Sequence, residues 1–161
     1  MNYSDVLKHI KTVDQAEKLS YEIDILLKSL FETRDGIEDA LNSISAVNSE
    51  RLRETFLKNN INLDNLAMTR EYLTVLKEEL QKQKTLKLSL AFPPSEDIID
   101  NLFNWVLNNL GQGIILDIEE NKTILGGAII EFEGEYRDFS LKKSLDQVFT
   151  SKKQEIIGLL A

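Results

Sequence analysis

The spacing of apolar residues changes once along this chain, near Lys84, and that change limits the folds open to it. Before it, apolar residues recur every three or four positions, the period of helices with one buried face. After it, Leu86, Leu88 and Leu90 alternate with Thr85, Lys87 and Ser89, the pattern of a half-buried strand. A chain of 161 residues makes one ordinary domain or two small ones. The switch predicts an α+β fold, with a helical bundle over 1–84 followed by a small β-α-β-β-β-α domain over 85–161. The charged run Lys77 to Lys84 is read as a solvated helix face and as a connector between the two.

Within the first part, Thr12 to Thr33 is expected as a helix. Thr12 and Gln15 have capping-box spacing, and Ala16, Leu19, Ile23, Leu26 and Leu30 form a stripe widened by Leu27 and Phe31. A short turn or helix capped by Ser4 precedes it, and carries His9, the only histidine, as a surface residue without a partner spaced for metal binding. Arg34-Asp35-Gly36 signals a turn. A helix over Ile37 to Ala46 follows, then a short one from Ser49 carrying Leu52, Phe56 and Leu57, stopped at Asn59-Asn60. A longer helix over Leu63 to Lys84 places Leu66, Leu73, Leu76 and Leu80 on one stripe, flanked by Met68, Tyr72 and Val75.

In the second part Phe92-Pro93-Pro94 stops the first strand, because proline lacks a ladder donor. Ser95 then caps a helix whose buried stripe is expected to be Ile98, Ile99, Leu102, Phe103, Val106 and Leu110, with Trp105 half-buried beside it and Gly111 at its end. A strand over Gly113 to Glu119 follows. The run Leu125 to Leu145 then packs together a glycine pair, a hairpin turning at Glu133-Gly134, and an Asp138-Phe139-Ser140 entry to a last helix with Leu141, Leu145, Val148 and Phe149 on one face. The glycine pair reads as a bulge or tight strand entry where another backbone comes close, that backbone belonging to the same chain or to another subunit.

This inventory is poor in catalytic chemistry. There is no cysteine, so disulfides, thiolate catalysis and thiolate-bound zinc are excluded. Gly111-Gln112-Gly113 follows a helix and enters a strand, the reverse of a phosphate loop. Glu131, Glu133 and Glu135 alternate as the wet face of a hairpin does, and Asp138 with Ser140 reads as local capping rather than as a nucleophile and its base. No catalytic residue, cofactor or metal ligand is expected. Gly126, Gly127, Gly134, Asp138 and Ser140 are singled out as a structural motif. The formal charge of -8, from 27 acidic and 19 basic residues, opposes binding to nucleic-acid phosphates or anionic lipid and is compatible with a basic protein partner. Charges interrupt every apolar cluster of the first fifteen residues, and no window approaches the roughly 18 apolar residues of a spanning helix, so a cytoplasmic location is expected.

From about Leu86 to Phe149 the chain resembles the C-terminal part of the delta subunit of F-type ATP synthase, whose mitochondrial relative is the oligomycin-sensitivity-conferring subunit. The resemblance is carried by Ile124-Leu125-Gly126-Gly127, the hairpin residues Ala128 to Tyr136, and Asp138-Phe139-Ser140-Leu141, with the preceding strand, proline break, helix and strand in the family's order. It implies a non-catalytic stator subunit that links the catalytic head to the peripheral stalk and resists torque during proton-driven ATP synthesis. The implied partners are subunit alpha of the head and the stalk helices of subunit b, with membrane association through the complex. Members of the family carry an N-terminal six-helix bundle with an alanine-rich opening helix. That opening helix is missing here, so a shortened or diverged bundle is expected.

Besides a general oligomeric adaptor unrelated to ATP synthesis, two other readings compete. One is the E-type stator subunit of a V/A-type ATPase, which a long uninterrupted N-terminal helix would favour and the turns at Arg34-Asp35-Gly36 and Asn59-Asn60 oppose. The other is a small acidic enzyme whose carboxylates, among them Asp117, Glu131 and Glu133, converge only in the fold.

Overall fold

The computed structural model describes residues 2–32 and 37–151. The chain divides into two compact units, Met1–Lys84 and Thr85–Ala161. The turn expected at Arg34-Asp35-Gly36 and the side chain of Phe149 lie outside the described residues.

The first unit contains α1 (Ser4–Leu7), α2 (Val13–Glu32), α3 (Ile37–Asn42), α4 (Ala46–Lys58) and α5 (Leu66–Gln81). The α2 stripe of Ala16, Leu19, Ile23, Leu26 and Leu30 is buried, as are Tyr72, Leu73, Leu76 and Leu80 of α5, and these two helices pack together. Each fully buried aliphatic side chain contributes about 1.5–3 kcal/mol relative to exposure. Helix α3 packs on α2, and α4 on α1 and α3. Tyr3 stacks on Tyr72 with ring centroids 4.9 Å apart, and Phe56 meets Tyr72 edge-on at 5.5 Å.

Several local expectations are corrected here. Ser4 is the first residue of α1 rather than its cap: both its N–H and its hydroxyl donate to Asn2 Oδ1, at 3.0 and 2.6 Å. The Thr12–Gln15 pair, by contrast, holds: Gln15 N–H donates to Thr12 Oγ1, and Gln15 Oε1 accepts from the backbone N–H of Lys11. The second helix stops at Asn42 and the next begins at Ala46, because Ser45 is held in extended conformation by a side chain of α2. Leu57 and Phe31 lie off their stripes and are exposed, Phe31 lying beneath the Arg70 guanidinium at 3.8 Å.

The second unit is β1 (Lys84–Leu90), α6 (Glu96–Asn109), β2 (Ile114–Glu120), β3 (Ala128–Phe132), β4 (Glu135–Asp138) and α7 (Leu141–Ser151). The α+β order expected from the sequence is the one found. The strands form one mixed sheet in the order β2-β1-β3-β4. Strand β3 pairs antiparallel with β1, setting Leu88 opposite Ile130, and with β4, setting Ile130 opposite Arg137 and Phe132 opposite Glu135. Period-2 geometry then puts Leu86, Leu88, Ile130, Phe132, Glu135 and Arg137 on one face. On that face Leu86, Leu88, Ile114 and Leu116 are buried with Phe103 and Val106 of α6, and Ile99, Leu102, Ile118, Ile130 and Phe132 pack around them. The ends of the expected α6 stripe behave differently: Ile98 and Leu110 are exposed, as is Trp105.

Candidate interaction surface

The motif residues around the hairpin have identifiable jobs. Glu133 and Gly134 both adopt positive φ, +50° and +83°, the backbone of the two-residue turn that matches strand twist. The ladder continues beyond β3 and β4: Phe139 N–H donates to Ala128 O at 2.9 Å and Leu141 N–H to Gly126 O at 2.8 Å. Gly127 lies between these bonds with φ +82°, and a Cβ there would lie 2.3 Å from Phe139 O. The backbone that approaches the glycine pair is therefore the chain's own. Gly126 is less constrained, with a Cβ meeting the Leu141 side chain at an ordinary 3.7 Å.

Asp138 and Ser140 close the same knot. Ser140 N–H donates to Asp138 Oδ1 at 2.8 Å, and Ser140 Oγ accepts from Lys143 N–H at 3.3 Å, the geometry of an N-cap on α7. Hydrogen bonding from the Ser140 side chain and backbone holds the Asp138 carboxyl below its usual range, with smaller help from Lys143 and Lys142. Ser140 is buried, whereas Asp138 is only partly covered. These residues fasten the end of the hairpin to the start of α7. They form no cleft and present no reactive pair.

The acidic residues of the hairpin separate onto two faces. On the face away from α6, Asp117, Glu119 and Glu131 gather with Lys87, Ser89 and Tyr136 around a depression of about 160 Å³. Ser89 Oγ donates to Glu119 there. Glu133 lies elsewhere, while Asp117 and Glu131 share this depression with Glu119. Among the described residues no group of three His, Asp or Glu side chains could hold a metal ion. His9 is an exposed residue whose pKa is depressed by partial burial and by Arg51, Lys8 and Lys11.

Among the described residues a larger concave feature than this depression lies on the α6 side. Leu86, Trp105, Leu110, Ile130, Phe132 and Phe139 line a groove of about 540 Å³ together with Glu133, Glu135 and Arg137. Arg137 pairs with Glu135 at 3.0 Å. Trp105 is 52% exposed and Phe139 60%, large values for aromatic residues that elsewhere fill cores. The groove exists because α6 covers β1 and β2 while β3 and β4 extend beyond it. Sequence reasoning missed this convergence, since Phe139, just after β4, is distant in sequence from Trp105 and Leu110 at the end of α6. The exposed Leu141, Leu145 and Val148 of α7 add a further apolar stripe. Among the described residues no helix is long and apolar enough to cross a membrane.

Two comparisons bear on these surfaces. The ATP synthase delta (OSCP) subunit family matches residues 2–151, so the likeness extends through the helical unit as well as the α/β unit. An ATP synthase subunit delta of Clostridioides difficile (strain 630) is 27% identical over 162 aligned residues, covering 98% of this chain and 89% of that protein.

Proposed function

We propose, from the premise that this chain belongs to the ATP synthase delta (OSCP) subunit family, that it joins the catalytic head of the synthase to subunit b through two separate docking units. The chain is a peripheral-stalk subunit of an F-type ATP synthase and is not an enzyme. It is a component of the synthase complex, peripheral to its membrane sector. The finer assignment is our reading: the helical unit over 1–84 meets subunit alpha, and the α/β unit over 85–161 meets the stalk helices of subunit b, on the cytoplasmic side of the cell membrane.

The observation that carries the reading is the match over both units, 2–151. Function of this kind is mechanical. A stator must hold two partners against torque, which calls for buried interface area and rigid packing, with no bond made or broken. The helical unit has a continuous core, and the α/β unit has a sheet tied to α7 by the Gly127 crossing and the Asp138–Ser140 cap. Co-purification of the full chain with cognate subunits alpha and b tests the assignment. Retention of both is expected; retention of neither would overturn it.

A further inference from the structure

We draw no further inference here: the strongest candidate, the apolar groove between α6 and the β3–β4 hairpin lined by Trp105, Leu110, Phe132 and Phe139, belongs to the unit already read as meeting the stalk, and nothing in the structure shows what else covers it.

Discussion

Asn48 Nδ2 donates to Glu22 Oε2 over 2.6 Å, joining a side chain of α2 to the first turn of α4. The other carboxylate oxygen accepts from Ser45 N–H at 3.1 Å, and Ser45 Oγ donates to Oε2 at 3.1 Å. Glu22 is only 6% exposed. The α4 helix is thus capped by another helix, its own Ser45 making no side-chain cap bond, and the carboxylate is offset by the helix N-terminus as well as by its donors.

Glu22→Ala should destabilise the helical unit by about 2–3 kcal/mol, because three donors lose a charged acceptor in a nearly dry site. Asn48→Ala, which leaves both Ser45 bonds, should cost about 1 kcal/mol. Urea unfolding followed by circular dichroism measures both. Equal, negligible changes would show that water replaces the carboxylate without loss.

Substitutions at the three motif glycines should rank by local geometry. Gly127→Ala forces a left-handed side chain and a Cβ at 2.3 Å from Phe139 O, and should cost about 2–4 kcal/mol, with Gly127→Val costing more. Gly134→Ala has the same sign of φ but nothing within 4 Å of its Cβ, and should cost about 1 kcal/mol. Gly126→Ala should be nearly neutral. Thermal unfolding of the α/β unit gives the order, and a Gly126 variant worse than the Gly127 one would contradict the crossing described.

The hairpin can be strengthened at Glu133. Its φ of +50° suits asparagine better than glutamate, so Glu133→Asn should stabilise the unit by roughly 0.5 kcal/mol, whereas Glu133→Gln should change folding little. Differential scanning calorimetry separates the two.

The Asp138 cap makes the α/β unit sensitive to acid. Its folded pKa is below the ordinary 3.8, so the unfolded chain binds the proton more tightly and acid favours unfolding. The contribution is fully present above about pH 4 and is lost as pH falls through the lowered folded value. Asp138→Asn should therefore melt earlier than the parent chain near neutral pH and converge with it in acid. A constant gap across that range would mean the carboxylate charge is irrelevant to the cap.

Much of this molecule was legible in its sequence because hydrophobic period is a local property. The three-and-four spacing of Ala16 to Leu30, the alternation of Leu86 to Leu90 and the Glu133-Gly134 turn each specify their element from a few neighbouring residues. The glycine pair, hairpin and Asp138-Phe139-Ser140 run also carried the family resemblance. Helix limits around Ser43 to Ser45 were misread, since the residue that breaks the pattern's continuity, Glu22, lies 23 positions from Ser45.

What the sequence determined alone is therefore which residues share a side of each element, and the succession of helices and strands those sides require. Only the tertiary structure decided which of those sides are covered. Glu22 resembles any solvated glutamate of an amphipathic helix until Ser45 and Asn48 are brought to it. Trp105 and Leu110 resemble core until α6 is laid over β1 and β2, leaving them beside the uncovered part of β3 and β4 with Phe139. Periodicity gives direction about a helix axis, whereas burial depends on what distant segments bring to that direction.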